Sequence, residues 1–422
     1  MRAAAAASAL CLPPYAKAQA TRHAATQRDE KLTLCVPLTH SDWMLRPNIP
    51  WGMPGVKHML DQCKACGWSH VMWRVFDAGR ATYASKLLAR GLHHEENSIF
   101  SPQTDADKAA VKKLLPGLTP EQSATYLKQM AAMDYQNFDT LAAACEYGHS
   151  IGLKIHAWAT INEDDHGWGW RSEFAKAHPE FTWRRRDGRP YVSQLSFSFP
   201  EVRQYKLGLI KELIAYPIDG LFLDWIRTGD IRDNPQTDSA GVADNGFEQP
   251  NIENFRAKYN AAPTDVPNDD DRWVRLRAEP QTIFMREARR LTGKLPVSVM
   301  VGHPWHYRGM LDPIAGSLKG LLLDVRTWAN EGLMDAAVAA GYYRAGGNAE
   351  LAYKSLREEC SGGNVDAWTY AWVPNTVAEF ERDYQLARSL GAKQILFWEA
   401  DYIDGRASAA ELKAAMSAKA KW

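Results

Sequence analysis

The chain has 422 residues, 45% of them hydrophobic, which is enough to bury the core of one barrel-sized domain or of two ordinary domains. Its 50 basic residues balance its 50 acidic residues. This balance excludes a protein that holds its partner through a basic excess, so the sequence predicts no nucleic-acid partner.

The first twenty residues have the outline of a secretory signal. Arg2 precedes an apolar, alanine-rich run, and the sequence AQA at 18–20 supplies a cleavage pattern of small residues. Low-complexity disorder is the alternative. The sequence thus predicts a signal peptide over 1–20, export to the periplasm or the cell exterior, and one domain over 30–422. No other stretch approaches the ~20 apolar residues of a membrane span.

Past residue 30, short apolar runs alternate with amphipathic helical patterns. Near-continuous apolar runs of this length are typical of buried parallel strands. The predicted strands are 32–38, 69–75, 153–160, 220–225, 296–301, 334–343, 365–372 and 394–398. The helical patterns lie at 136–149, 201–215, 271–292 and 376–390, most of them bounded by glycine or proline.

This alternation predicts βαβ units, and eight of them fit a closed (β/α)₈ TIM barrel. A doubly wound open sheet is the alternative, but no GxGxxG loop follows the first strand. The predicted loops after strands two, three and four are long, at about 77–133, 161–199 and 226–269. In a barrel they all open onto the C-terminal face, where active sites lie.

The sixth strand has two possible positions, 320–324 and 334–343. The sequence DVRTWANEG reads as an N-cap at Asp324, a short helix and a terminating glycine at Gly332. The later run is therefore predicted to be the strand, with Asp324 as a helix cap rather than a catalytic acid.

Two adjoining motifs occupy 195–227. The first is PEVR at a helix start, and the second is an apolar strand that opens with DG and closes with D. Their residues are Pro200, Glu201, Val202 and Arg203 in the first motif, and Asp219, Gly220, Asp224 and Arg227 in the second. Together with 138–163, HPEF at 178–181 and 328–343, they resemble the glycosyl-hydrolase-like family 10 of TIM-barrel glycoside hydrolases, over roughly residues 130–400. The resemblance implies cleavage of a glycosidic bond in a poly- or oligosaccharide.

Asp224 is the predicted catalytic residue. It ends an apolar strand, so its side chain is expected in the cleft, where a carboxylate serves as nucleophile, general acid or stabiliser of an oxocarbenium-like centre. A structural pairing with Arg227 or Arg74 is the alternative. Trp225 follows, at a position where relatives of the family often carry a second carboxylate.

Glycoside hydrolysis normally needs a second carboxyl group. Glu399 directly follows the eighth predicted strand, and Glu163 follows the third. Either is a candidate acid/base, and a sugar-hydroxyl ligand or a structural carboxylate is the alternative for Glu399. The acidic neighbours of Glu163, at 164–165, are interpreted as a solvated turn.

Other side chains at the same end of the predicted barrel are candidates for substrate contacts. His156 and Trp158 lie on one side of the third strand, although a satisfied interior histidine is equally compatible with the pattern. The sixteen tryptophans suit a saccharide, because aromatic faces stack on sugar rings, but most are expected in the core. The predicted substrate-binding residues are Arg74, His156, Trp158, Arg227, His303, Trp305, Trp372, Trp398 and Asp401.

The sequence predicts no metal site and no cofactor. The histidines of HGWGW and HPWH lack the HxH or HExxH spacing of metal ligands, and there is no Walker loop or GxSxG elbow. Cys63 and Cys66 form a CxxC, but without a second pair at zinc spacing they are interpreted as buried thiols.

The sequence therefore predicts a carbohydrate-active barrel, with a glycoside hydrolase as the first hypothesis. A non-hydrolytic saccharide-binding barrel is the second, since Trp225 stands where a carboxylate is frequent. A lyase or hydrolase that uses histidine and arginine on acidic sugars is the third. The oligomeric state is not encoded in any pattern.

Overall fold

The fold is taken from a computed structural model. It describes residues 31–39, 49–77, 79–91, 102, 105–114, 117–162, 164, 172–224, 226, 244–301, 317–338, 349–398, 400, 403–406 and 408–422. The predicted signal peptide lies outside these residues.

Eight parallel strands close into a barrel in which each strand pairs with the next along the chain and the last pairs with the first. The strands are β1 (Thr33–Leu38), β2 (Trp68–Arg74), β3 (Lys154–Thr160), β4 (Gly220–Asp224), β5 (Val297–Met300), β6 (Ala336–Val338), β7 (Asp366–Trp372) and β8 (Gln394–Trp398). The predicted (β/α)₈ barrel is confirmed, and each strand lies within about one residue of its predicted ends except β6, whose predicted C-terminal half falls outside the described residues.

Helices connect the strands along the outside of the barrel. They are α1 (Met53–Ala65), α2 (Asp105–Leu114), α3 (Pro120–Ala131), α4 (Thr140–Ser150), α5 (Glu173–Ala177), α6 (Pro200–Leu213), α7 (Gln249–Tyr259), α8 (Asp271–Thr292), α9 (Leu318–Leu321), α10 (Val325–Asn330), α11 (Ala349–Glu359), α12 (Val377–Ser389) and α13 (Ala409–Lys419). No described helix combines the length and the apolarity that a membrane crossing requires.

Side chains of alternate strand residues pack inside the barrel, because successive residues of a strand point to opposite faces. The interior cluster contains Cys35, Met72, Trp158, Phe222, Met300, Ala336, Val338, Trp368, Tyr370, Leu396 and Trp398. The outward-facing residues form a larger core against the helices. The barrel is thus a packed core whose upper end, at the carboxyl ends of the strands, is available for a site.

Helix boundaries follow local capping chemistry. The carboxylate of Asp324 accepts a hydrogen bond from Thr327 N at 3.1 Å and caps α10, and Gly332 adopts a φ of 65° beyond its end. The predicted cap and short helix are confirmed. The helix predicted from residue 136 begins instead at Thr140, because the carboxylate of Asp139 caps it by accepting from Ala142 N.

The three long loops contain secondary structure that was not predicted. The segment after β2 holds α2 and α3, and the segment after β4 holds α7. The segment after β3 holds α5 and an antiparallel hairpin of Thr182–Arg184 with Pro190–Leu195. Of these elements, α3 had a signal in the sequence, because Thr119 and Gln122 form a capping box at its start.

All five described cysteines are buried and form no disulfide. Burial raises the pKa of the Cys66 thiol to about 12, and burial beside Cys66 raises the pKa of Cys63 well above its usual range. A thiol that stays protonated is neither a nucleophile nor a metal ligand. The interpretation of the CxxC as a pair of buried thiols agrees with this environment.

Candidate active site

Asp224 lies inside the barrel at the carboxyl end of β4. Every residue of this strand is buried, and Asp224 itself has no exposed surface. Phe222, two residues earlier, belongs to the interior cluster, so alternation along the strand points Asp224 to the same side. The carbonyl of Asp224 accepts from Ile161 N at 2.9 Å, which ties the end of β4 to the end of β3. The predicted direction of this carboxylate therefore agrees with the strand geometry.

The neighbouring strand supplies a hydrogen-bond donor to this carboxylate. The indole N–H of Trp158 donates to Asp224 Oδ2 at 3.3 Å. Trp158 is 2% exposed, and the guanidinium of Arg74 lies 5.4 Å from the centre of its ring. Arg74 Nε in turn donates to the carbonyl of Phe76 at 2.9 Å. Arg74, Trp158 and Asp224 thus form a connected set across β2, β3 and β4.

Aromatic side chains continue from Trp158 across the barrel. Trp158 meets Trp398 edge-on with ring centres 5.2 Å apart, and Trp398 is stacked with Tyr370 at 6.4 Å. Tyr370 contacts Trp372 edge-on at 5.9 Å. Trp158 and Trp398 are buried, whereas Trp372 is only partly buried. Among the described tryptophans predicted to bind sugar, Trp372 therefore has the accessible ring that stacking requires.

Thr160 is a polar residue of this site that the sequence analysis missed. It ends β3, its Cα is paired with that of Asp224, and alternation places its side chain on the face of Trp158. Its hydroxyl oxygen is buried and has no hydrogen-bond partner among the described residues. Buried hydroxyls normally have a partner, so water or a ligand at Asp224 would meet a ready donor here. The sequence feature that could have identified Thr160 is its position two residues after Trp158, on the same side of the strand.

His156 lies at the opposite end of the barrel from Asp224. Its Cα pairs with Gly220, at the start of β4, and four residues of strand separate that level from Asp224, about 13 Å. A Cβ on Gly220 would stand 2.3 Å from His156 Nδ1, so the glycine makes room for the ring. A saccharide at Asp224 would reach His156 only through the packed interior, which favours the interior-histidine alternative.

The remaining predicted site residues fall outside the described residues. They are Glu163, Arg227, His303, Trp305, Glu399 and Asp401. Their roles stay predictions.

Asp164 is buried, which corrects its interpretation as part of a solvated turn. Asp164 and Lys206, each with 2% of the side chain exposed, form an ion pair that joins this turn to α6. Tyr205 donates a second hydrogen bond to Asp164 at 3.2 Å, and the Asp164 carbonyl accepts from Ser172 N at 2.8 Å. Asp164 is therefore committed to a structural pair. The sequence did not show this because the partner lies 42 residues away.

A second buried carboxyl group lies outside the barrel interior. Glu248, 1% exposed, precedes α7 and receives hydrogen bonds from Asn251 Nδ2 at 3.3 Å and from the Ser196 side chain. Its Oε1 has no hydrogen-bond partner among the described residues. Burial raises the pKa of Glu248 to about 7. Arg277 is a charged neighbour of Glu248, and Asp244 and Arg186 are in turn charged neighbours of Arg277.

Replacing Glu248 by glutamine is expected to stabilise the protein at pH 8. Because the folded-state pKa of Glu248 lies above its unfolded value of 4.5, its contribution to stability is present below pH 4.5 and is lost as the pH rises through 7. The loss at pH 8 is about 2–3 kcal/mol. Urea unfolding at pH 5 and pH 8 measures it, with the exposed substitution Glu253→Gln as control. An equal pH dependence in wild type and Glu248→Gln would contradict the assignment.

Comparison with known proteins gives likenesses in structure. No family model matches the chain, and no curated protein matches it significantly. The fold is similar to the catalytic domain of beta-amylase from Paenibacillus polymyxa, with a TM-score of 0.57 and 10% identity over 93% of this chain and 99% of that chain. It is also similar to alpha-L-fucosidase isoenzyme 2 from Paenibacillus thiaminolyticus, with a TM-score of 0.51 and 14% identity over 92% of this chain and 49% of that chain.

A third similar structure is beta-galactosidase from the psychrophilic Marinomonas ef1, with a TM-score of 0.52, 12% identity and coverage of 92% of this chain and 59% of that chain. The chain spans about half the length of the fucosidase. All three neighbours are glycoside hydrolases. The fold is a TIM barrel of the kind that glycoside hydrolases use. At these identities the likeness concerns the fold, and the chemistry of this chain rests on its own residues.

Proposed function

We propose that the protein is a glycoside hydrolase that cleaves a glycosidic bond in a poly- or oligosaccharide. The observation that carries the proposal is the placement of Asp224. Its carboxylate lies at the carboxyl end of a barrel strand, where TIM-barrel enzymes hold their catalytic groups, and it receives the Trp158 N–H. The structural neighbours and the sequence resemblance both support carbohydrate as the substrate class.

In the proposed mechanism, Asp224 is the nucleophile or the stabiliser of the oxocarbenium-like transition state. A hydrogen bond donated to its ionised form favours that form, which either role requires. The Thr160 hydroxyl lies beside it and is available to a sugar hydroxyl or to water. The partly buried Trp372 offers a ring for stacking.

The acid/base partner is proposed to be Glu399 or Glu163. Glu399 immediately follows Trp398, the last residue of β8, and Glu163 follows β3 by three residues. Asp164, the described carboxylate next to Glu163 in sequence, is held by Lys206. A separation of about 5–5.5 Å between the two carboxyl groups would give retention of configuration, and about 6.5–9.5 Å would give inversion.

A screen against neutral and uronic-acid polysaccharides tests the function, with wild type and Asp224→Asn side by side. We expect release of reducing ends from at least one substrate, and a loss of roughly 10³-fold or more in Asp224→Asn. Asp324→Asn is the matched control, since asparagine caps a helix as well as aspartate does, and it should retain activity.

The other hypotheses predict different outcomes of the same screen. Binding of a saccharide without cleavage would favour a non-hydrolytic, saccharide-binding barrel. This alternative is specific because Trp225 occupies the position where a second carboxylate is frequent in the family that the sequence resembles. Unsaturated products that persist in Asp224→Asn but vanish in His303→Ala would favour a lyase on acidic sugars.

A further inference from the structure

We propose that Trp158 is a positioning residue: its indole N–H orients the carboxylate of Asp224, and Arg74 holds the indole in place. This inference rests on the proposed function, because orientation of Asp224 matters only if Asp224 takes part in the reaction. It differs from the sequence-based expectation, in which Trp158 contacts sugar directly.

The chemistry of the Trp158–Asp224 pair suits a positioning role. An indole N–H is a donor only, so at 3.3 Å it must point its proton at Asp224 Oδ2. A hydrogen bond to a carboxylate is charge-assisted and favours the ionised form. The Trp158 N–H therefore fixes the orientation of the Asp224 carboxylate through its Oδ2 atom.

The ring of Trp158 has no accessible face on which a sugar could stack. Trp158 is 2% exposed, its ring meets Trp398 edge-on at 5.2 Å, and the Arg74 guanidinium lies 5.4 Å from its centre. Arg74 is itself anchored by its Nε bond to the carbonyl of Phe76. The indole is thus fixed on several sides, as a group that positions another must be.

The register of the barrel places Trp158 below Asp224. Trp158 pairs with Phe222, which precedes Asp224 by two residues and points to the same side of β4. The indole therefore approaches the carboxylate from the packed interior and not from the open end of the barrel. Side chains nearer the open end of the barrel than Trp158 are the ones that would contact substrate. Thr160, whose Cα is paired with that of Asp224, is one of them.

A spectroscopic experiment tests the contact without reference to activity. In ¹⁵N-indole-labelled protein, the Trp158 N–H resonance is expected to titrate with pH and to lose that titration in Asp224→Asn. Its assignment comes from Trp158→Phe or, if that variant does not fold, from the resonance shifted by both Arg74→Met and Asp224→Asn. An indole resonance whose titration is unchanged in Asp224→Asn would overturn the inference.

Steady-state kinetics on a substrate found in the screen test whether the Trp158–Asp224 hydrogen bond contributes to the reaction. Trp158→Phe keeps a ring but loses the N–H, so kcat should fall about 10–100-fold with KM changed less than about twofold. The acidic limb of the pH profile should move to higher pH, because the ionised form of Asp224 loses a donor. Trp328→Phe is the matched control, since it deletes a buried indole bond to Thr282 on the outer helices.

A rise in KM with unchanged kcat would show that Trp158 binds saccharide and would overturn the positioning role. If no substrate is found, or if Asp224→Asn retains full activity, the proposed function fails while the resonance titration still decides whether the Trp158–Asp224 contact exists. The two failures are therefore distinguishable.

Discussion

Lys206→Met is expected to lower the free energy of unfolding by about 3–5 kcal/mol, because it leaves the carboxylate of Asp164 buried without its cation. Both side chains are 2% exposed, so neither can turn to solvent without moving the backbone of the turn or the helix. Methionine fills most of the volume of lysine, which confines the loss to the charge. Equilibrium urea unfolding gives the value directly.

A double variant separates the charge effect from packing. Lys206→Met combined with Asp164→Leu removes both charges, and it should recover most of the lost stability, because a buried ion pair can often be replaced by apolar residues at little cost. Lys211→Met, at an exposed position of the same helix, should stay within about 0.5 kcal/mol of wild type. If Lys206→Met cost no more than Lys211→Met, the pair would not be an anchor of the turn after β3.

The barrel itself could be predicted because its signals are local. Parallel strands buried on both faces are apolar throughout, as in the run that becomes β4, and Gly or Pro marks the ends of the intervening helices. The sixth strand had two possible positions, and the helix cap at Asp324 decided between them. The cap could be predicted because Asp324 and the Thr327 N–H that it binds are only three residues apart. The hairpin after β3 escaped prediction because its strand Thr182–Arg184 is only three residues long. The helix α3 did carry a local signal, a capping box of Thr119 and Gln122 with Pro120 between them, which was overlooked.

The candidate site could be predicted only in part, for a physical reason. That Asp224 would end an apolar strand follows from its own neighbours in sequence. That Trp158 would donate to it depends on the pairing of β3 with β4, which connects residues 66 positions apart. The burial of Asp164 could not be predicted for the same reason. Its run of acidic residues indicated a solvated turn, but in the fold α6 places Lys206 against it.

Buried His156 and half-buried His70 are expected to reduce the stability of the protein in acid. The rings of His70 and His156 lie 5.5 Å apart near the amino-terminal end of the barrel. Burial lowers the pKa of His70 to about 4, and Lys154 lowers it further. Burial lowers the pKa of His156 to about 3, and the neighbouring His70 lowers it further. Asp219 opposes both shifts. Both rings are therefore neutral in the folded protein at pH 7.

The protein is expected to lose several kcal/mol of stability between pH 6.5 and pH 4. Since the folded-state pKa values lie below the unfolded value of 6.5, the unfolded chain binds protons first. The stability that these histidines contribute is present above pH 6.5. It is lost as the pH falls toward the folded-state pKa of each ring, about 4 for His70 and about 3 for His156. Each imidazole that takes up a proton only in the unfolded state costs about 1.4 kcal/mol per pH unit.

His156→Gln should reduce this acid loss by about 2–3 kcal/mol between pH 6.5 and pH 4.5, because one of the two titrating rings is gone. Urea unfolding at the two pH values measures the difference, and the exposed substitution His58→Gln should keep the wild-type loss. The same acid loss in His156→Gln and wild type would mean that His156 is already protonated in the folded barrel. The burial of His156 and its close packing against Gly220 argue against that.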